Sequence, residues 1–192
     1  MRILGFIEFG AIILGIVGLV TGQLYGSAKG FNLGIFLVGF GIALGGLESV
    51  VTRQMGFRLA GDGGDAYAGA PALIWGLMVL LVGAAIMGLA YVRAENLVRP
   101  TMDFLVRNPV VLAGAAGFLL AGTGLLMVLS PRRRSHWAWY LFVRAPQLLA
   151  GVALILAGLA VMAGGVWQRY DAPGFERASK PVYDGINRLL RL

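Results

Sequence analysis

The chain has 192 residues, of which 58% are hydrophobic and only 13% are charged. This composition is too apolar for a soluble domain of that length and excludes that class. The formal net charge of +7 fits contact with anionic lipid headgroups better than nucleic-acid binding, because no DNA- or RNA-binding motif accompanies it. The chain has no cysteine, so disulfides, iron–sulfur clusters and thiolate metal sites are excluded.

Five apolar runs follow one another along the chain. Each is about 18 residues or longer, which is the length that crosses a bilayer as a helix. None alternates apolar and polar residues, so the runs predict helices and not the strands of a barrel. We therefore predict an all-α integral membrane protein that forms a single membrane domain over 1–192. The five predicted transmembrane helices lie at about 3–22, 31–51, 71–92, 109–130 and 146–167.

The first two predicted helices each carry a glutamate. The first, an extra N-terminal helix within 1–30, contains Glu8, and the second contains Glu48. Ionisable groups inside transmembrane helices are costly and are candidates for function. Two consecutive helices run antiparallel, so both glutamates fall toward the face that also carries Arg53, Arg58 and the run Arg132 to Arg134. A Glu–Arg pair within the chain, an ion pair between subunits, and a proton or cation path all remain open.

Two later parts of the sequence resemble each other. The stretch GFGIALGGLESV (39–50) matches GFLLAGTGLLMV (117–128) at an offset of 78, and PALIWG (71–76) matches PQLLAG (146–151) at an offset of 75. We interpret this as an internal duplication with one unit at 31–108 and a second at 109–192. Each unit has two transmembrane helices, so helices two and three would be related to helices four and five as a parallel repeat.

A short phrase closes each unit, RPTMDFLVR at 99–107 and KPVYDGINR at 180–188. Pro100 and Pro181 are expected at the first helical position, where a missing N–H costs nothing. An aspartate and an arginine four residues apart follow in each phrase and suit a surface ion pair. We predict two interfacial amphipathic helices that lie along the membrane surface, or dock on a partner subunit. Their headgroup-contacting cations would be Arg99, Arg107, Lys180 and Arg188.

Glycines recur every seven residues in the third and fifth predicted helices. This spacing keeps small residues on one side of a helix, where a second helix can approach closely. Packing within the chain, contact with a neighbouring subunit, and binding of a flat lipid, carotenoid or quinone are alternatives that the spacing leaves open. The glycines concerned are Gly76 and Gly83 in the third helix, and Gly151, Gly158 and Gly165 in the fifth.

The connecting segments carry aromatic and acidic residues. Trp137 and Trp139 precede the fifth helix and suit an aromatic belt at the membrane interface, with pigment or quinone contact as the alternative. His136 is the single histidine, so a bis-histidine haem within one chain is excluded. Asp62 and Asp65 lie in a glycine-rich stretch that we interpret as a turn and not as a metal site.

These features favour a non-catalytic accessory or scaffold subunit of a larger membrane complex, with a respiratory or photosynthetic assembly as a natural host. The expected partners are membrane lipids and other integral membrane subunits, without nucleic acid. No metal or cofactor is predicted beyond the lipid, carotenoid or quinone named above. The expected location is a prokaryotic inner membrane. The alternatives are a small transporter or channel that uses Glu8 and Glu48, and a lipid-modifying enzyme that uses Asp62 and Asp65.

Overall fold

The computed structural model describes residues 2–54, 68–129 and 140–190 of the chain. These ranges form helices joined by short turns, together with one isolated β-bridge between Gln54 and Ala68. A π-helical turn, Tyr140–Arg144, leads directly into the sixth helix. The helices are α1 Arg2–Leu24, α2 Ala28–Thr52, α3 Ala70–Ala94, α4 Val98–Arg107, α5 Pro109–Leu129, α6 Ala145–Tyr170 and α7 Ala172–Leu190.

Five of the helices in the described ranges are long and apolar enough to cross a membrane, which confirms that part of the sequence prediction. They match the five apolar runs in order, and their ends differ by only a few residues. The spanning segments are Gly5–Leu24, Ala28–Thr52, Ala70–Ala94, Pro109–Leu129 and Phe142–Tyr170. A membrane-embedded, all-helical protein is the class that this fold defines.

Two tight turns end helices in the same way. After α1, Gly26 has a φ of 63°, and the N–H of Ser27 donates to the carbonyl oxygen of Gly22 at 2.8 Å. After α3, Asn96 has a φ of 56°, and the N–H of Leu97 donates to the carbonyl oxygen of Val92 at 2.8 Å. A left-handed residue in this position satisfies the last carbonyls of a helix and reverses the chain. Glycine and asparagine are the residues that adopt it most readily.

Helices α2 and α3 form an antiparallel pair in which the backbones nearly touch. A Cβ atom at Gly83 of α3 would lie 2.7 Å from the carbonyl oxygen of Gly39 in α2. Earlier in α3, a Cβ atom at Gly76 would lie 2.7 Å from the carbonyl oxygen of Gly46. Contacts this short leave no room for a side chain. The glycine spacing therefore sets the distance between the two helices.

Helices α5 and α6 pack in the same manner. A Cβ atom at Gly158 would lie 2.6 Å from the backbone nitrogen of Ala121, and one at Gly151 would lie 2.9 Å from the carbonyl oxygen of Gly124. Gly165, farther along α6, lies against Ala113 of α5. Close approach through small residues replaces apolar burial as the force between helices in lipid, because lipid tails are as apolar as the side chains.

Helix α2 packs against α1 on its other side, and it again does so through glycine. A Cβ atom at Gly34 would lie 2.7 Å from the carbonyl oxygen of Gly15. Helix α2 therefore lies between α1 and α3 and buries small residues on both sides. The two hairpins meet over a narrower contact, where the side chain of Met78 in α3 lies against Gly122 in α5.

Helices α4 and α7 lie at the same end of the molecule. Helix α4 connects α3 to α5, and α7 continues from α6 after a break at Asp171. The side chain of Asp171 accepts a hydrogen bond from the N–H of Gly174 at 3.0 Å and so caps α7. The rings of Trp167 and Phe175 meet edge to face at 5.9 Å. This contact fixes the start of α7 against the end of α6.

The two prolines lie elsewhere in their helices than the sequence predicted. Pro100 is the third residue of α4, within the first turn, where proline is still tolerated. The prediction for Pro181 is wrong, because Pro181 lies inside α7. The cap at Asp171 starts that helix ten residues earlier, so the second phrase lies in the middle of a helix and does not begin one.

We expect alanine at Gly83 to destabilise the protein by about 1–3 kcal/mol, because the added methyl group meets backbone atoms that cannot move without separating α2 and α3. Gly88 is the matched control on the same helix, since a Cβ atom there meets nothing within 4 Å. Alanine at Gly88 should stabilise the helix by about 0.5–1 kcal/mol. Circular dichroism during unfolding in mixed detergent would measure both, and equal effects would contradict the packing described here.

Candidate functional site

Arg144 is a buried arginine at the start of the last spanning segment. Only 6% of its surface is exposed. Its guanidinium donates two hydrogen bonds, to the carbonyl oxygens of Met127 at 3.0 Å and Val128 at 2.8 Å. These carbonyls belong to the last turn of α5, where the helix has no N–H left to pair with them. Arg144 therefore caps α5 and joins its end to the start of α6.

The charge of Arg144 suits this position as well as its geometry does. The carboxyl-terminal end of a helix carries a partial negative charge, which favours a cation nearby. The planar fork of arginine can reach two carbonyls at once, and lysine lacks this geometry. The role of Arg144 is not visible in the sequence, because a basic residue at the start of an apolar run looks like an ordinary interfacial cation.

Glu8 is the second buried charged residue, with 7% of its surface exposed. It lies in the second turn of α1, on the side that packs against α2. Gly41 and Gly45 of α2 face it, and the Cδ atom of Glu8 would lie 2.8 Å from a Cβ atom at Gly45. The absence of a side chain at Gly45 makes the space that the carboxyl group occupies, whereas Gly41 lies against the backbone oxygen of Glu8 and the side chain of Ile12. We call the space over Gly45 the α2 notch.

The predicted grouping of Glu8, Glu48 and Arg53 is only partly brought together. Glu48 is half-buried on α2, and Arg53 is exposed at the end of that helix with a φ of 52°. Among the side chains that the structure describes, no carboxylate lies within 4.0 Å of a basic nitrogen. The two aspartate–arginine pairs expected in α4 and α7 are therefore not formed either. The other arginines expected near the glutamates, Arg58 and Arg132 to Arg134, lie outside the described residues.

All five glycines singled out from the spacing lie between helices of this chain. Gly76 and Gly83 contact α2, and the three glycines of α6 contact α5. They are therefore not available to a neighbouring subunit, and any such contact falls to other positions. Their partners Gly39, Gly46, Gly117 and Gly124 were visible in the matched stretches of sequence, but spacing alone could not pair them across helices.

The four predicted surface cations, Arg99, Arg107, Lys180 and Arg188, are all exposed. The two cations on α7, Lys180 and Arg188, line a shallow depression of about 380 Å³ beside Pro181 and Gly185. Arg177 and Asp184 line it as well. Pro181 has no N–H to bond the carbonyl of Arg177, so the regular helical hydrogen bonding is interrupted there. Trp137, Trp139, His136, Asp62 and Asp65 lie outside the described residues.

Two further polar atoms are buried without a hydrogen-bond partner, Oδ1 of Asn32 in α2 and Nε1 of Trp75 in α3. In the described ranges, no three or more histidine or acidic side chains come together as metal ligands would. The buried polar or charged residues of the described interior are Glu8, Ser49 and Arg144, and the Ser49 hydroxyl donates to the carbonyl oxygen of Gly45 at 2.9 Å.

Comparison with known proteins adds no relative from which a role could be transferred: no family model, curated protein or solved structure matches the chain. The class remains that of a helical, membrane-embedded protein, as the five apolar helices indicate.

We expect glutamine at Arg144 to destabilise the protein by about 1–3 kcal/mol, because the carbonyls of Met127 and Val128 lose their charged donors. Lysine should restore part of the loss, since one ammonium group cannot reproduce the two-pronged contact. Arg169→Gln, at the exposed other end of α6, is the matched control and should change little. Detergent-induced unfolding of the three variants would test this, and an unaffected Arg144→Gln variant would contradict the cap.

Proposed function

We propose that the protein is a non-catalytic accessory or scaffold subunit of a larger membrane complex, in a prokaryotic inner membrane and within a respiratory or photosynthetic assembly. The observation that carries the proposal is a second row of small residues on α6. Gly151, Gly158 and Gly165 are buried against α5, whereas Ala153, Ala157 and Ala160 lie on a different side and are exposed.

The exposed row, Ala153, Ala157 and Ala160, has the spacing that lets a second helix approach. Residues four and three apart lie on one side of a helix, and small residues there permit backbone contact in lipid. The buried glycines of the same helix use this principle against α5. An exposed row of the same kind fits a helix from another subunit, while the bulky exposed residues on another side of α6, Val152 and Leu159, fit lipid.

The proposal includes an internal duplication of the α2–α3 and α5–α6 hairpins. Its support is that residues matched in sequence also make matched contacts. Every match in the first helix of a hairpin has the offset 78, and every match in the second has the offset 75. The paired contacts are Gly39–Met87 with Gly117–Met162, Gly83–Ala43 with Gly158–Ala121, Gly76–Val50 with Gly151–Val128, and Gly46–Leu80 with Gly124–Ile155.

A duplication of this kind suits a scaffold because it repeats one rigid unit. Each hairpin is held by backbone contacts at two glycine positions on each helix, and such contacts leave little freedom for one helix to slide along the other. Helices α1, α4 and α7 then distinguish the two copies. Helix α1 covers one side of α2, and α7 is much longer than α4.

The short helices α4 and α7 would hold the subunit at the membrane surface. On α4, Met102 and Val106 lie on one side and are exposed, and Asp103 and Arg107 lie on another. An amphipathic helix of this kind lies in the interface with its apolar side toward the acyl chains. The exposed cations of α7 would then reach anionic headgroups or a partner subunit.

We expect Met102 to face the acyl chains and Arg107 to face water. The chain has no cysteine, so Met102→Cys and Arg107→Cys can each be spin-labelled without removing other thiols. In vesicles, the label at 102 should collide mainly with dissolved oxygen, and the label at 107 mainly with a water-soluble nickel chelate. Equal exposure of both labels to the nickel chelate would contradict surface placement of α4.

We expect Ala157→Leu to release the partner subunits while leaving this chain folded, because leucine fills the space that a second helix needs. Leu159→Ala, a substitution on the lipid-facing side of the same helix, is the control and should retain them. Purification in mild detergent followed by mass spectrometry of the co-migrating chains would measure both. Recovery of the wild-type protein as a lone monomer would overturn the scaffold role.

A second candidate is a small transporter or channel that uses Glu8 and Glu48, and the burial of Glu8 within a spanning segment favours it. It requires a water-filled path that reaches both carboxyl groups. The measurement that separates it from the scaffold is ion or proton flux in vesicles that contain the purified chain alone. A flux that Glu8→Gln abolishes would favour transport.

A further inference from the structure

Glu8 occupies an unusual place for a side chain that is normally charged. It lies within the spanning segment Gly5–Leu24, and more than nine-tenths of its surface is buried. Ala11 and Gly15 follow on the same side of α1 and are also buried against α2. The Glu8 side chain is therefore directed between two helices and away from the outer surface of the molecule.

The α2 notch is shaped to this carboxyl group. A Cβ atom at Gly45 would overlap Oε1 of Glu8 and would lie 3.2 Å from Oε2. A Cβ atom at Gly41 would lie 2.9 Å from the backbone oxygen of Glu8. Both carboxyl oxygens therefore lie directly over Gly45, while Gly41 allows the backbone of α1 to come close one turn earlier on α2. Any residue other than glycine at position 45 would displace them.

The notch supplies no opposite charge. In the part of the chain that the structure describes, the Glu8 side chain has no hydrogen bond and no ion pair. Helix α2 is the element packed against α1 there; its ionisable groups are Lys29 and Glu48, and Arg53 follows its last residue. Lys29 lies at the opposite end of α2, and Arg53 is exposed. Glu48 is half-buried on α2 and supplies no positive charge.

We propose that the α2 notch is a proton-binding site, in which Glu8 is held as the neutral acid by burial between α1 and α2. An ionised carboxylate without a partner is far more costly to bury than a neutral acid, so it takes up a proton instead. This site is independent of the scaffold role, because it does not involve the small residues exposed on α6.

Dicyclohexylcarbodiimide, an apolar reagent that dissolves in the bilayer and reacts with protonated carboxyl groups, tests the proposal. The acid proton passes to a carbodiimide nitrogen, and the carboxyl oxygen bonds to the central carbon. The acyl group then migrates to nitrogen and gives a stable N-acylurea, so the whole reagent is added and nothing leaves. Mass spectrometry of peptides from the full chain, in phosphatidylcholine vesicles at about pH 7, would locate the label.

Glu8 should be labelled at least about tenfold faster than the exposed Asp103, because a carboxyl group buried without a partner holds the proton that the reaction requires. A water-soluble carbodiimide should label Glu8 poorly. Glu8→Gln should remove the label and leave thermal stability unchanged, since the amide resembles the neutral acid. Gly45→Ala should displace the carboxyl group, slowing the apolar reagent and exposing Glu8 to the water-soluble one.

Two results would overturn the proposal. If Glu8 is instead ionised and paired with Arg58 or with one of Arg132, Arg133 and Arg134, the wild-type protein will not be labelled, and replacing those arginines with glutamine will make it reactive. In that case Glu8→Gln should also lower the unfolding temperature. If the water-soluble reagent labels Glu8 as fast as the apolar one, the carboxyl group is open to water and the notch is not its environment.

Discussion

Backbone-to-backbone contact at glycine is the constraint on which the rest of this structure depends. Gly46 with Gly76, and Gly124 with Gly151, bring the helices of each hairpin so close that a Cβ atom would not fit. In water such helices would associate to bury apolar side chains, but lipid removes that driving force. Contact between backbones over several turns supplies dispersion energy in its place. The large apolar side chains are left on the outside, where they meet lipid.

The same constraint decides where polar groups can lie. Gly45 leaves a notch on α2 large enough for the Glu8 carboxyl, so a polar side chain replaces a helix contact there. Arg144 uses a different opening, the end of α5, where backbone carbonyls have no helical partner. Both residues are buried, but one has two hydrogen bonds and the other has none among the described residues. This difference makes Arg144 a structural group and Glu8 the candidate for chemistry.

Packing by glycine also separates the sides of α6 into distinct roles. The buried row against α5 fixes the hairpin, the bulky row faces lipid, and the exposed alanines offer a surface of the kind that a further helix could use. A protein whose internal contacts are already complete can present such a surface without loss of its own stability. This is the physical basis on which we propose a scaffold role.

The sequence by itself determined the five spanning helices, since their length and hydropathy are local properties of each run. It also located the glycine rows, because a spacing of seven places residues on one side of a helix whatever it packs against. Only the tertiary structure decided that Gly76 meets Gly46, that Arg144 caps α5, and that Glu8 lies over Gly45. Each of these contacts joins residues from different helices, and no local pattern states which sides will meet. The start of α7 after Asp171 was not predicted for a related reason. Pro181 suggested the start of a helix, but the cap at Asp171 begins that helix earlier in the chain.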